Sequence, residues 1–500
     1  MVFTSWAFVL FFAVVLLGLR IAPTRTARQG LLLLASCFFY AYWNAWYLLL
    51  LLTPSAIDYI AATRIEESED PRIRKRWLLF SLITNLGLLG YFKYADFFVQ
   101  SFSSLLGVET RHLDILLPVG ISFYTFKTLS YVIDVYRREM RASRSLWRYA
   151  MFVTYFPELV AGPIVRASVF LPQMGRSLRP SWPRAWVGTQ AILLGVTKKL
   201  VIADRLAPFA DAVFAAPANF SPATVLSAVV AYSLQIYCDF SGYSDIAIGV
   251  SRIIGYDLPE NFNMPYRATS ITDFWRRWHM TLSQWLRDYL YIPLGGNRKG
   301  KWRTYLNLFL TMLLGGLWHG ANWTFVFWGF LHGVGLAVHK ARMDLIKKGR
   351  AKPLPPVLGW LLTYAFVCFA WVFFRAQDFS TAMVIVRKML WIDTAGVDHF
   401  YLPLALLLPL VLLGHWLGEI ASRQADAAGT DPGWVPAPRW AARIWDRAGT
   451  RFAVRPHPAA GLYVLLPVPG LLGGFVLTTW LILVALFAAI DSSPFIYFQF

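Results

Sequence analysis

Charge is what this chain has least of. Only 15% of its 500 residues are Asp, Glu, Lys or Arg, while 57% are hydrophobic and 17% aromatic. An average soluble domain carries roughly 25% charged residues. The shortage excludes a disordered chain, a coiled coil and an ordinary water-soluble enzyme. Acids are scarcer than bases, 28 against 47, for a net charge of +19. With a mean hydropathy of +0.49, that excess points to the cytoplasmic loops of a membrane protein, which collect Lys and Arg. The expected partner is therefore a lipid bilayer and not nucleic acid. Cysteine is nearly missing too. Cys37, Cys238 and Cys368 stand far apart in apolar stretches, without Cys-x-x-Cys or Cys/His spacing. A disulfide framework or a zinc site has no support, and no metal is expected. There is no GxSxG, HExxH or GxxxxGK[ST] pattern, so serine-triad hydrolysis, zinc proteolysis and ATP-driven transport lack support as well. No internal repeat is visible, although a transporter built from matched halves would show one.

Long stretches free of Asp, Glu, Lys and Arg are what is present: 1–19, 29–57, 77–92, 212–238, 304–339, 354–374, 399–418 and 456–490. The first lacks the basic start and cleavage site of a secretory signal, and reads as a retained span. The 304–339 stretch is long enough for two passes, with a turn near Asn322. The last begins Pro-rich, so its helix is expected from about Leu471 to Ile490. Segments 97–108, 115–133, 149–170 and 186–205 are shorter or interrupted by charge, as re-entrant or cavity-lining helices are. The sum is roughly 10–12 helices at about 20 residues per span. Basic groups punctuate them: Arg20, Arg25 and Arg28; Arg137 to Arg148; Arg298 to Arg303; and Lys340 to Lys352. The positive-inside rule places these in the cytoplasm and the N-terminus outside. A basic loop rich in Pro and Ala is expected at about 421–459.

Ionisable residues inside membrane segments are costly, so each is a functional suspect. His319 lies within the charge-free 304–339 stretch, between Gly315-Gly316 and Gly320. A neutral imidazole takes a proton from a hydroxyl near neutral pH. The alternative is a buried histidine bonded to a neighbouring helix. His279 follows Phe274-Trp275-Arg276-Arg277-Trp278, an amphipathic run that suits either substrate orientation or interfacial anchoring. His332 lies 13 residues after His319, about 220° around a continuous helix. The two converge only if the chain turns near Asn322. Asp239 and Asp245 either line a polar cavity or pair with bases such as those at 276–277. The remaining histidines, at 112, 339, 399, 415 and 457, read as structural.

Leu317-Trp318-His319-Gly320-Ala321-Asn322, taken with 274–279, resembles the membrane-bound O-acyltransferase family and, within it, the bacterial alginate O-acetylation branch. Further support comes from Leu117 to Phe126, Asp239 to Asp245, Glu260 to Tyr266, Trp285 to Gly300 and Ser493 to Phe500. The resemblance implies one all-α transmembrane domain over 1–500, with a catalytic core at about 117–340. It implies about eleven transmembrane helices, plus re-entrant or interfacial ones, around a central funnel or tunnel. His319 corresponds to the family's catalytic histidine and His279 to a second functional one. Asn322, Trp318, Asp239, Asp245, Trp275, Arg276, Arg277 and His332 are expected along the substrate path. The implied activity is acyl transfer from a thioester, acetyl-CoA, to a hydroxyl, with no bound cofactor. The implied setting is the bacterial inner membrane, with periplasmic acetyltransferase partners that esterify an exopolysaccharide such as alginate. The open alternatives are another envelope polymer, or a transport or scaffold protein. Two positions depart from the pattern. Glu158 stands where His or a neutral residue is expected, and Lys127 where Glu or Gln is usual. Both bear on the choice of acceptor or partner.

Overall fold

A computed structural model describes residues 1–160, 162–175, 181–427, 471–489 and 493–496. Among them every regular element is a helix, and only an isolated bridge joins Phe220 to Val397. The helices are α1 (Trp6–Ile21), α2 (Arg25–Ala41), α3 (Ala45–Glu67), α4 (Pro71–Leu89), α5 (Ala95–Leu106), α6 (Ile121–Tyr136), α7 (Leu146–Thr154), α8 (Phe156–Leu159), α9 (Ala167–Gln173) and α10 (Trp182–Val196). They continue with α11 (Asp204–Ala215), α12 (Pro222–Ile254), α13 (Ile271–Arg277), α14 (Met280–Leu286), α15 (Lys301–His319), α16 (Trp323–Lys347), α17 (Pro356–Arg375), α18 (Phe379–Met389), α19 (Leu402–Ala427) and α20 (Leu471–Phe487).

Among the described residues, six helical stretches are long and apolar enough to cross a membrane: Ala45–Glu67, Pro71–Leu106, Arg184–Ala215, Pro222–Ile254, Pro356–Arg375 and Leu402–Ile420. The chain is therefore an all-helical protein with several membrane-spanning helices. Polar side chains set the breaks between them. Asn44 divides the expected 29–57 stretch by capping α3, its side chain accepting from Trp46 N–H. Asp70 caps α4, which has Pro71 in its first turn. Such caps satisfy backbone N–H groups that have no partner within the helix. The expected loop at 421–459 begins later than its composition suggested, because α19 continues to Ala427. The rest of that loop lies outside the described residues, as do His457, Ala161 and Tyr497–Phe500.

The chain forms two compact units that interleave in sequence, Met1–Thr189 with Ala247–Pro259, and Gln190–Ile246 with Glu260–Phe500. In the first unit, α3, α4 and α6 bury a polar cluster. Asp58 accepts hydrogen bonds from Ser81 Oγ at 2.5 Å and Asn85 Nδ2 at 2.9 Å, and Thr128 Oγ1 donates to Asn85 Oδ1 at 3.2 Å. A carboxyl group held among apolar helices needs such donors. The turn around α8 closes onto the start of α6. Gly120 has φ +78°, and a Cβ there would lie 2.6 Å from Leu159 O, so only glycine fits. The two departures noted in the sequence meet at this place. Lys127 Nζ lies 2.6 Å from Glu158 Oε1, with both side chains buried, and 4.5 Å from the centre of the Phe152 ring.

In the second unit, α15 and α16 form a tight hairpin. A Cβ on Gly316 would lie 2.3 Å from Phe325 O, and one on Gly329 would lie 2.4 Å from Met312 O. Small residues let membrane helices approach in this way. Asn322 makes the turn: its side chain accepts from Thr324 N–H to cap α16, and its Nδ2 donates to Gln377 O at 3.0 Å. Leucine at Gly316 or Gly329 forces these backbones apart. Overpacking costs about 1–3 kcal/mol or more. We expect Gly316→Leu and Gly329→Leu to lower the melting temperature in detergent, whereas Gly414→Leu, where a Cβ meets nothing within 4 Å, leaves it unchanged.

Candidate active site

The hairpin places His319 at the last position of α15. The side chain is 4% exposed. Three aromatic rings surround it: Trp318 at 5.0 Å, Trp328 at 5.1 Å and Phe374 at 5.2 Å between ring centres. These rings come from α15, α16 and α17. His332, on α16, also meets Trp328, at 4.6 Å. The turn at Asn322 thus does what the 13-residue spacing required of it. Trp275 Nε1–H donates to His332 Nδ1 at 3.2 Å, so the neutral ring carries its proton on Nε2.

His279 comes from a different local cause. Ser270 caps α13 by accepting from Asp273 N–H. The helix stops at Arg277, Trp278 is extended, and His279 takes a left-handed conformation with φ 41° and ψ 55° before α14 begins. Such a conformation is uncommon outside glycine and clusters at functional sites. His279 is fully buried. Its ring meets Phe240 edge-on at 4.7 Å and Trp318 at 6.3 Å. A continuous series of rings therefore runs from His279 through Trp318, His319 and Trp328 to His332 and Trp275.

The other expected site residues separate into distinct places. Asp239 and Asp245 do not pair with 276–277. Lys199 Nζ lies 2.7 Å from Asp239 Oδ1 and 2.8 Å from Asp204 Oδ1, and Lys198 Nζ lies 2.7 Å from Asp245 Oδ2. The cause is a wide helical turn over Thr197–Ala203, which presents both successive lysines to α12. There Gly195 and Gly242 allow close contact, since a Cβ on Gly195 would lie 2.4 Å from Gly242 O. Asp245 also lines a small cleft with Lys198, Tyr237, Ser244, Glu260 and Asn261. Asp239 Oδ2 accepts from Ile496 N–H at 2.6 Å, and Lys199 Nζ donates to Ser493 O at 2.8 Å. The segment 493–496 is thereby fixed to α12, with Phe495 stacked on Tyr243 at 4.5 Å.

Arg277 binds Asp273 at 2.9 Å and Glu419 at 2.6 Å, while Arg276 is exposed. Both side-chain groups of Asn322 are engaged in the turn. Sequence reasoning missed Phe240, Trp328 and Phe374 around the histidines, and Lys198 and Lys199 as partners of Asp245 and Asp239. The lysines had left a signal: they are the first of the charges that interrupt the 186–205 segment, before Asp204 and Arg205 at its end. Among the described residues no three His, Cys, Asp or Glu side chains converge as metal ligands do.

The fold and the site define an all-helical membrane protein that buries His279, His319 and His332 among aromatic rings. The sequence profile of the membrane-bound O-acyltransferase family matches residues 72–379. The chain is 40% identical to a probable alginate O-acetylase of Pseudomonas aeruginosa, with 100% of both chains covered. It is 40% identical to a peptidoglycan O-acetyltransferase of Helicobacter pylori over 74% of this chain and 75% of the relative. A teichoic acid D-alanyltransferase of Bacillus subtilis is 29% identical over 52% of this chain and 69% of the relative. The chain belongs to the membrane-bound O-acyltransferase family and is an O-acyltransferase.

Proposed function

We propose that the chain moves an acetyl group from cytoplasmic acetyl-CoA across or into the bacterial inner membrane, for O-acetylation of an exopolysaccharide such as alginate. The observation that carries this reading is His319, buried among Trp318, Trp328 and Phe374 at the turn of the α15–α16 hairpin. In this reading about eleven spans and shorter helices enclose a funnel, and periplasmic acetyltransferases receive the group. His319 accepts the proton of the acceptor hydroxyl as its oxygen attacks the thioester carbonyl. The carbon–sulfur bond breaks, and the coenzyme A thiolate leaves and takes up a proton. His279 orients or assists. Trp318, Trp275 and His332 shape the dry path, while Asp239 and Asp245 hold its polar wall through the two lysines. Exclusion of water protects the thioester from hydrolysis.

A second acceptor is favoured by one observation, the likeness to the peptidoglycan O-acetyltransferase. Purified chain with radiolabelled acetyl-CoA tests the donor. Label should move to a hydroxyl acceptor or appear as acetate, and absence of turnover with or without periplasmic fractions overturns acetyl-CoA as the donor. Ester-bound acetate is then assayed separately in exopolysaccharide and peptidoglycan from cells with and without the protein. Loss from one polymer identifies the acceptor.

A further inference from the structure

His279 has an unusual backbone, and something must hold it. The segment Glu260–Asn263 does so from alongside. Met280 N–H donates to Asn261 O and Asn263 N–H donates to Arg277 O, each at 2.9 Å. These two bonds bracket His279 on either side of its left-handed turn. A side-chain link adds to them: Thr281 Oγ1 donates to Asn261 Oδ1 at 2.6 Å. The amide of Asn261 is oriented in turn, because its Nδ2 donates to Ser244 Oγ on α12 at 3.2 Å. Asn261, Thr281 and Ser244 are all nearly fully buried. The same segment supports the ring environment. Phe262 meets Phe240 and Trp278 edge-on, each at 5.0 Å, and Phe240 is the ring set against His279.

We propose that Asn261 and Thr281 are positioning residues that fix the imidazole of His279 for acyl transfer. A left-handed non-glycine residue persists only where its neighbours dictate it. The main-chain bonds set the turn. The Thr281–Asn261 bond sets the first turn of α14 against 260–263, and so the direction in which residue 279 projects. A catalytic group misplaced by about 1 Å loses about 100-fold in rate, so a small release here has a large effect on turnover and little on binding.

The inference rests on the reading that His279 takes part in the reaction, so His279→Gln is measured alongside. Full-length chain in detergent is assayed with radiolabelled acetyl-CoA for Thr281→Val, Thr281→Ser, Asn261→Leu and the Thr281→Val/Asn261→Leu pair. The expected result is a fall in kcat of about 10- to 100-fold for Thr281→Val and Asn261→Leu, with KM unchanged. Thr281→Ser, which keeps the hydroxyl, stays within about threefold of wild type, and the pair is no worse than its worse member, as for groups acting as a unit.

A second measurement does not depend on turnover. In the nitrogen spectrum of histidine-labelled protein, the His279 signal is the one lost in His279→Gln. Thr281→Val moves or broadens that signal and leaves the other histidines in place. Wild-type kcat in Thr281→Val and Asn261→Leu, or an unmoved His279 signal, overturns the proposal while His279→Gln remains impaired. Wild-type activity in His279→Gln instead overturns the reading of His279 itself.

Discussion

His319→Ala loses acyl transfer by about 10²–10⁴-fold, the usual contribution of a positioned general base, while the protein still inserts and folds. The imidazole sits at the end of α15, and Asn322 caps the helix that follows the turn. Trp328 and Phe374, on α16 and α17, pack on one another without the imidazole, at 5.1 Å. His319→Gln, which keeps much of the volume and hydrogen-bonding capacity but not the basicity, falls as far as alanine does. His332→Gln is milder, because an amide oxygen still accepts from Trp275 Nε1–H. The check is initial rate with labelled acetyl-CoA at equal amounts of folded protein. Turnover within threefold of wild type in His319→Gln removes His319 as the base.

The elements most legible in the sequence were those fixed by local physics. The charge-free 304–339 stretch was too long for one span, and a cap-forming Asn stood in its middle. The hairpin followed, and so did the meeting of His319 and His332 at Trp328. Gly315 and Gly316 suggested close approach by a chain or a helix; at Gly316 the helix is α16, while Gly315 faces the Leu286 side chain of α14. Partner choice was less legible. Asp239 and Asp245 face lysines only because a wide turn rotates Lys198 and Lys199 onto α12, and periodicity based on 3.6 residues does not anticipate such a turn. Asn322 stood out in the sequence because Asn in a membrane segment is costly. Its cost is offset by the cap and by Gln377, partners that are remote from it or invisible in composition. Likewise, nothing in the spacing of Glu260–Asn263 shows that it bonds both sides of His279, since hydrogen bonds between segments depend on tertiary placement.

Lys127 and Glu158 show how two apparent irregularities become one structural unit, and they give the other large expected effect. Each taken alone departs from the pattern that the resemblance implies, yet their side chains are 6% and 1% exposed and 2.6 Å apart. Removing either partner leaves the other charged in an apolar interior, which costs about 3–5 kcal/mol. Lys127→Met and Glu158→Leu should therefore each lower the melting temperature sharply in detergent and reduce the yield of folded protein. Replacing both removes the uncompensated charge, and a well-packed apolar pair is often as stable as a buried ion pair. Lys127→Met/Glu158→Leu should recover most of the loss, so the two effects fail to add. The comparison separates pairing from packing. If the double variant is as unstable as the sum of the singles, the residues matter by shape alone. Recovery in the double variant shows that each departure exists because of the other, with the ammonium of α6 neutralised by the carboxylate of the turn that closes over it.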